Sequence, residues 1–142
     1  MNRRSLFRLG ALFGAGRFIT LAAPAWAMTP HDTDAARPIV LYCDLAIDPA
    51  RESEMLAAFH DKFKPAAKQF DGYVDLKMLK LRSVIQGRPA PPNGINYRFQ
   101  LTYESEKKRQ LWIHSDTHQK VWPLIEDTVT NKDYLVLLTE AC

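Results

Sequence analysis

The sequence INYRFQLTY, residues 95–103, carries the clearest secondary-structure signal in this chain. Apolar or aromatic side chains occupy its odd-numbered positions, and Asn, Arg, Gln and Thr occupy the positions between them. Strict alternation of this kind places every apolar side chain on one face of an extended strand. Residues 95–103 therefore predict a β-strand with one buried face and one polar face.

A second strand and a long loop precede this one. Residues 73–84 contain Leu76 and Met78 in one alternating phase and the next two leucines in the other, which predicts a β-bulge between the two pairs. The segment 86–94 holds three prolines followed by Asn-Gly, a composition typical of loops. We therefore expect two strands joined by a loop that is long for a hairpin.

The segment before residue 73 predicts a central strand followed by a helix. Residues 39–47 are largely apolar on both faces, as in strands that are covered on both sides. Asp48-Pro49 is a typical helix start, because the Asp side chain caps free amides and Pro has no amide to leave unpaired. An apolar stripe continues to about Phe70, and Gly72 is expected to act as the C-cap of this helix. Pro65 predicts that the helix is kinked there or ends early.

Two helix starts and one short strand follow residue 103. Ser105 is the predicted cap of one helix, and Ser115 is the predicted cap of another. We expect Leu111 and Trp112 to lie on the sheet-facing side of the first of these helices. The apolar run 134–139 predicts a buried strand.

The element order β-α-β-β-α-β predicts a ferredoxin-like α+β domain, in which an antiparallel sheet carries its helices on one face. Such a sheet leaves its other face open. Val40, Tyr42 and the displaced leucines of the second strand, Leu79 and Leu81, are expected on that open face. Because exposed apolar faces mark interfaces, we expect a homodimer in which a second copy of the chain covers this face.

The first 27 residues have the pattern of a signal peptide. An arginine pair at 3–4 precedes a mainly apolar segment at 9–25, and Ala25-Trp26-Ala27 offers small residues where a signal peptidase reads them. The pair resembles a twin-arginine export signal, with an ordinary secretory signal as the alternative. The apolar segment is shorter than the ~20 residues that span a bilayer, so a retained membrane anchor is disfavoured. We therefore expect a periplasmic or secreted protein.

Removal of residues 1–27 leaves 115 residues, which we divide into a flexible leader at 28–38 and one domain at 39–142. The removed segment holds four of the 19 Lys and Arg residues and none of the 16 acidic ones. The remainder therefore carries 15 basic and 16 acidic residues. This balance gives no support for nucleic-acid binding, and none is expected.

The sequence favours neither a metal nor a cofactor. His114 and His118 are four residues apart, but the capping Ser115 lies between them and no Glu follows the first His as in zinc proteases. The chain also lacks a Gly-rich loop that would cradle phosphates. Cys43 and Cys142 are expected in an oxidising compartment. We expect Cys43 to be a buried free thiol and Cys142 to be exposed, and a disulfide between them is the alternative.

Two segments resemble the antibiotic biosynthesis monooxygenase family. Residues 63–67, FKPAA, leading to Asp-Gly-Tyr at 71–73, are similar to the end of that family's first helix. Residues 112–118, WIHSDTH, resemble its Trp-x-x-Ser-x-x-His stretch. With the element order, the resemblance covers nearly all of residues 39–140. It implies a dimeric α+β barrel with a pocket between sheet and helices, and activities that include cofactor-independent oxygenation of polycyclic aromatics or quinols, and haem degradation.

The haem-degrading branch of that family implies three residues, of which this chain has one. Trp112 matches the Trp of the branch. The iron-ligating His expected ten residues later is replaced by Trp122, and the Asn of the first strand falls at Cys43. Because an indole does not bind iron, haem degradation is disfavoured.

Seven residues are candidates for the functional site. His118 is the candidate catalytic acid–base residue, because imidazole titrates near neutral pH, and the alternative is a solvated residue in a first helical turn. Trp112 is the second candidate catalytic-site residue, as a wall of the pocket, with plain core packing as the alternative. The candidate substrate-binding residues are Tyr97, Phe99, Tyr103, His60 and Cys43.

Two functions from different classes remain open at this point. The first is an exported, cofactor-independent monooxygenase acting on an aromatic or quinol substrate, which needs a dry aromatic pocket, a base and oxygen. The second is a non-catalytic small-molecule-binding or interaction module with the same dimeric fold. The first function implies a small aromatic ligand. Measuring oxygen uptake by the purified protein would distinguish the two functions.

We predict that the signal peptide is cleaved after Ala27. Intact-mass measurement of the exported protein should therefore give a chain that begins at Met28. Replacing Arg3 and Arg4 by Lys should block export through the twin-arginine route, and normal export of that variant would point to the ordinary secretory route. Recovery of the full-length chain from the membrane would contradict the signal-peptide prediction.

Overall fold

The computed structural model describes residues 37–87 and 90–142. The predicted signal peptide and most of the predicted leader lie outside the described residues. In chain order the elements are β1 (Ile39–Leu45), a 3-10 turn (Pro49–Arg51), α1 (Glu52–Ala57), a π-helical segment (Ala58–Phe63), α2 (Lys64–Lys68), β2 (Tyr73–Lys80), a second 3-10 turn (Pro92–Gly94), β3 (Tyr97–Tyr103), α3 (Glu106–Ile113), α4 (Asp116–Glu126) and β4 (Leu135–Glu140). Within the described residues, no helix is both long enough and apolar enough to cross a membrane.

The four strands form one antiparallel sheet in the order β2-β3-β1-β4. β1 and β3 lie at the centre, as predicted for β1. The helices pack on the face that carries Phe99, because the rings of Phe63 and Trp122 both lie 5.3 Å from the Phe99 ring. This architecture confirms the predicted ferredoxin-like α+β fold.

The core of the domain is the helix-facing side of β1 and β3. Alternate residues of both strands are buried there, because successive side chains of a strand point to opposite faces. The buried set is Ile39, Leu41, Cys43 and Leu45 on β1, and Tyr97, Phe99, Leu101 and Tyr103 on β3. The alternation read from residues 95–103 therefore identifies the core face correctly.

A single asparagine sets where the central strands end. The side-chain amide of Asn96 donates to the Ile47 carbonyl and accepts from its N–H, both at 2.8 Å. The backbone of Ile47 is thereby paired with a side chain. β1 ends at Leu45 instead of residue 47, and β3 begins at Tyr97 instead of residue 95. The segment 86–94 is a loop as predicted, where the structure describes it.

The first helical run begins at the predicted cap. Asp48 accepts a hydrogen bond from the Ala50 amide at 2.9 Å. Of the two outcomes predicted at Pro65, the early end is wrong, since the helix continues through Pro65 to Lys68. The π-helical segment accommodates the proline, because a wider turn avoids the clash between a proline ring and the carbonyl four residues earlier.

The irregularity in β2 lies elsewhere than predicted. The register shift falls between Tyr73 and Asp75, not after Met78. Beyond Asp75 the pairing with β3 is regular, and the strand ends at Lys80. Leu79 therefore lies on the open face through normal alternation, and 42% of it is exposed.

Both predicted caps of the second helical region are present. The Ser105 hydroxyl accepts from the Lys108 amide at 3.3 Å, and the Ser115 hydroxyl accepts from the His118 amide at 3.1 Å. Trp112 is fully buried as expected, whereas Leu111 is 62% exposed and does not face the sheet. A helix turns by about 100° per residue, so two neighbouring side chains seldom share a narrow buried face.

β4 is the element that departs most from expectation. The run 134–139 predicts a buried strand, yet all six residues of β4, Leu135–Glu140, are exposed. β4 is an edge strand that pairs with β1 alone, and Val136 and Leu138 on its helix-facing side are each 50% exposed. Its apolar side chains are therefore uncovered in the single chain.

The open face of the sheet is partly apolar, as predicted. Val40 and Tyr42 are half-buried on it, less exposed than expected. One reason is a buried Asp44 carboxylate that accepts two hydrogen bonds from Arg98, at 2.6 and 2.9 Å. The Arg98 guanidinium also lies 5.0 Å from the Tyr42 ring. This ion pair places charge on the open face beside Tyr42.

Candidate functional site

A cavity of about 340 Å³ lies between the sheet and the helices. Its floor is the central part of β1 and β3, where Leu41 pairs with Leu101 and Cys43 pairs with Phe99. Residues paired across an antiparallel ladder point to the same face, so these four side chains form one continuous surface. The floor is apolar apart from the Cys43 thiol.

Aromatic rings that pack against this floor form one wall of the cavity. Phe63 comes from the π-helical segment, Trp112 from α3 and Trp122 from α4. The Phe63 ring lies 5.6 Å from Trp112 and 5.8 Å from Trp122, in edge-to-face arrangements. Edge-to-face packing is the favourable geometry for such pairs. The wall is therefore well packed and excludes water from one side of the cavity.

His118 is the titratable side chain that packs among these aromatic rings. Ser115 caps α4 and fixes His118 in its first turn, where the imidazole stacks on Trp122 at 6.1 Å and meets the edge of Trp112 at 5.2 Å. Its Nδ1 atom is buried and has no hydrogen-bond partner among the described residues. Burial, assisted by the positive charge of Arg109, lowers the pKa of His118 from 6.5 to about 4. The ring is therefore neutral at pH 7.

Trp112 supplies a second unpaired polar atom. Its side chain is fully buried and lines the cavity, and its Nε1–H has no acceptor among the described residues. A buried N–H without a partner is unfavourable by about 1–3 kcal/mol, and most such groups in proteins are satisfied. A ligand oxygen is a suitable acceptor for this indole.

Cys43 and Tyr134 bring a thiol and a phenol to the same cavity. Burial raises the pKa of the Cys43 thiol to about 12, so it stays protonated and is not a nucleophile at neutral pH. The Tyr134 hydroxyl donates a hydrogen bond to Glu126 at 2.8 Å. Burial and this carboxylate raise the pKa of Tyr134 above its usual value of 10.

The structure brings together four of the seven candidate residues. His118, Trp112, Phe99 and Cys43 all line the cavity. The other three candidates lie outside it. The hydroxyl of Tyr97 donates to Glu52 at 2.6 Å, Tyr103 is fully buried with an unpaired hydroxyl, and His60 is exposed beside the edge of Phe59.

Sequence reasoning missed other residues that line the cavity. Phe63 belongs to an apolar helix stripe, and Trp122 is interpreted as the residue in place of an iron-ligating His, although the spacing of both places them on the inward side. Tyr134 stands just before β4 and is interpreted only as the start of the apolar run 134–139, because its place in the cavity depends on distant residues. Four further residues line the cavity, and these are Ile113, His114, Gln119 and Val136.

No metal centre is formed by the part of the chain that the structure describes. Residues 37–87 and 90–142 contain no group of three His, Cys, Asp or Glu side chains arranged to hold a metal ion. Cys43 is buried, Cys142 is exposed, and both are free thiols.

We predict that the neutral state of His118 makes stability depend on pH. The pKa of His118 in the folded chain is about 4, against 6.5 for an unperturbed imidazole, so the unfolded chain binds its proton first as the pH falls. The free energy of unfolding should therefore decrease between about pH 6.5 and pH 4. Urea unfolding of His118→Gln should show a shallower decrease than that of the wild-type chain. An unchanged slope in His118→Gln would contradict the prediction.

Comparison with known proteins supports the fold and gives little at the sequence level. No family model and no curated protein sequence matches this chain. Among solved structures, a dimeric ferredoxin-like protein of unknown function from Jannaschia sp. superposes with a TM-score of 0.61 at 15% identity, covering 73% of this chain and 99% of that one.

Two further solved structures connect the fold with oxygenases. A Caulobacter crescentus protein, provisionally named an antibiotic biosynthesis monooxygenase, gives a TM-score of 0.59 at 13% identity, covering 76% of this chain and 92% of its own. A mutant of SnoaB, a cofactor-independent oxygenase from Streptomyces nogalater, gives 0.58 at 11% identity, covering 75% and 94%. The resemblance drawn from the sequence motifs is confirmed at the level of fold. This chain has the ferredoxin-like α+β fold of structures named antibiotic biosynthesis monooxygenases.

Proposed function

We propose that this chain is a cofactor-independent monooxygenase that acts on a small hydroxylated aromatic molecule. One observation carries the proposal: the Nδ1 of a neutral imidazole and an indole N–H, both buried atoms without a partner among the described residues, belong to side chains that line one aromatic cavity. A cavity of about 340 Å³ is within the range of small-molecule sites, about 300–1,000 Å³. Structural neighbours that include a cofactor-independent oxygenase support the same chemistry.

His118 and Trp112 can together activate one hydroxyl group of the ligand. With its Nε2 protonated, His118 presents Nδ1 as an acceptor for a ligand hydroxyl, and it takes up that proton as the hydroxyl ionises. The Trp112 Nε1–H donates to an oxygen on which negative charge develops. The aromatic wall holds the ring of the ligand and keeps water out.

The overall reaction balances with oxygen as the oxidant. The ionised ring transfers electrons to O₂, and a C–O bond forms at a ring carbon ortho or para to the ionised hydroxyl. After the distal oxygen is protonated, the O–O bond breaks, the ring hydrogen leaves, and a quinone and water remain. One oxygen atom enters the product, and the hydroxyl proton and the ring hydrogen both end in the water.

The low pKa of His118 narrows the range of suitable substrates. An imidazole with a pKa of about 4 is a weak base, and proton transfer is efficient when donor and acceptor are matched. Hydroxyls conjugated to a ring carbonyl, or carried by extended aromatic systems, are more acidic than simple phenols. We therefore expect such compounds to react faster than phenol itself.

The same weak base favours a second candidate function, which is ligand binding without turnover. The aromatic wall, the unpaired indole N–H and the neutral imidazole suffice to bind a hydroxylated aromatic molecule. Catalysis requires in addition that His118 accept a proton. The two functions therefore differ in the effect of removing His118, and not in the ligand that the cavity binds.

We predict that the protein incorporates one oxygen atom from O₂ into 1-naphthol. Mass spectrometry of the product formed under ¹⁸O₂ should show one labelled atom, and oxygen uptake should match product formation. His118→Gln should lower turnover by about 100-fold or more, because a positioned base contributes at least that factor.

His60→Gln is the matched control for this experiment. His60 lies outside the cavity, so its replacement should leave turnover unchanged. Binding of 1-naphthol without oxygen uptake, in the wild-type chain, would reject the monooxygenase and favour the binding module. Full turnover in His118→Gln would reject His118 as the base.

We also propose that the active protein is an exported homodimer. Export rests on the signal-peptide pattern of residues 1–27. The dimer rests on the uncovered apolar residues of β4 and of the open face, among which Leu79 is 42% and Leu137 is 39% exposed. The Jannaschia neighbour is described as dimeric, and a sheet face of this kind fits a self-complementary interface.

We predict that light scattering of the purified protein gives twice the chain mass at micromolar concentration. Leu137→Lys places a charge on the open face and should convert the dimer to a monomer. Leu111→Lys is the control, because Leu111 is 62% exposed on α3, and this variant should stay dimeric. A folded wild-type monomer would contradict the proposed interface.

A further inference from the structure

Tyr134 is a cavity residue that the proposed reaction does not use. Its ring lies 6.4 Å from Trp122, and Trp122 in turn stacks on His118 at 6.1 Å. The three rings therefore follow one another along the cavity wall, with Trp122 between the imidazole and the phenol. Tyr134 carries the one hydroxyl among the described residues that line this cavity.

Glu126 fixes the direction of the Tyr134 hydroxyl. The phenol O–H donates to the Glu126 carboxylate at 2.8 Å, and Glu126 is the last residue of α4. A phenol has a single proton, so this bond uses the only one that Tyr134 has to donate. The Trp122 indole also bonds to the Tyr134 oxygen, so that oxygen can act toward a ligand only as an acceptor, through its remaining lone pair.

Tyr134 also separates two unlike cavities. On its other side lies a cavity of about 300 Å³ with polar lining residues that include Asp44, Asn131 and Asp133. The aromatic cavity consequently ends at Tyr134, where its apolar wall gives way to polar side chains. A ligand that reaches this end from His118 meets the Tyr134 oxygen.

We propose that Tyr134, oriented by Glu126, is a specificity-determining residue that accepts a hydrogen bond from a second hydroxyl of the ligand. This inference rests on the proposed function for the location of the first hydroxyl, at His118. The cavity thus carries two acceptors, His118 Nδ1 and Tyr134 Oη, on either side of Trp122. It selects dihydroxylated aromatic molecules, with hydroxyls at opposite ends, over monohydroxylated ones.

The selection follows from the penalty for an unpaired polar group. A monohydroxylated ligand places a C–H against the Tyr134 oxygen and displaces any water there without replacing its hydrogen bond. A site built to bond a hydroxyl discriminates strongly against an analogue that lacks it. We expect 1,4-dihydroxynaphthalene to bind at least about 10-fold more tightly than 1-naphthol.

The test compares these two ligands on the full chain under nitrogen, where oxidation cannot occur. Titration calorimetry gives both dissociation constants, and tryptophan fluorescence gives a second readout, since Trp112 and Trp122 are two of the three tryptophans and both line the cavity. Tyr134→Phe should lose the preference for the dihydroxylated ligand and keep the affinity for 1-naphthol.

Two further variants complete the design. Tyr42→Phe removes a hydroxyl on the open face, outside the cavity, and should keep the wild-type preference. Glu126→Gln leaves the Tyr134 ring in place but changes the hydrogen-bond partner of its hydroxyl, because an amide, unlike a carboxylate, can donate to the phenol oxygen. The preference of this variant for the dihydroxylated ligand over 1-naphthol should therefore be smaller than that of the wild type.

The outcomes separate this inference from the proposed function. An unchanged preference in Tyr134→Phe, in a variant that melts like the wild type, overturns the role of Tyr134 while the monooxygenase proposal stands. Loss of the preference in Tyr134→Phe supports the inference even if no oxygen is incorporated. A wild-type chain that binds neither ligand overturns both.

Discussion

The antiparallel pairing of β1 with β3 is the constraint on which the rest of the structure depends. It sets Cys43 opposite Phe99 and Leu41 opposite Leu101, so that one face of the sheet becomes a continuous apolar floor. Three aromatic side chains from different helical segments pack against this floor and leave a cavity beside it. A shift of one residue in the pairing would replace Phe99 by Arg98 or Gln100 and destroy the floor.

Burial shifts the pKa values of the ionisable groups in this cavity in different directions, but in each case it favours the neutral form. It lowers the pKa of His118 and raises that of Cys43 and of Tyr134, because in each case the charged form is the one that loses solvation. All three groups are therefore neutral at pH 7. The cavity suits a neutral ligand, and any negative charge that develops on the ligand depends on His118 and Trp112 for its stabilisation.

The exposed strand β4 links the fold to the proposed assembly. β4 closes one edge of the sheet, yet the helices leave its helix-facing side chains half uncovered, including Val136 at the cavity. On its other face, Leu137 lies beside Tyr42, and Leu135 lies beside Asp44, whose carboxylate pairs with the half-exposed Arg98. A second copy of the chain that covers this surface would protect apolar area that one chain cannot bury alone.

The sequence by itself determined the class of fold, the helix caps at Asp48, Ser105 and Ser115, and the core face of β3. These features depend on local periodicity and on side chains that bond to nearby backbone, both of which can be read along the chain. Only the tertiary structure decided the rest. The exposure of β4 and the meeting of His118 with Tyr134 and Cys43 depend on how elements distant in sequence pack together. A strand pattern records that a side chain is apolar, and it is the packing of the other elements that determines whether anything covers it.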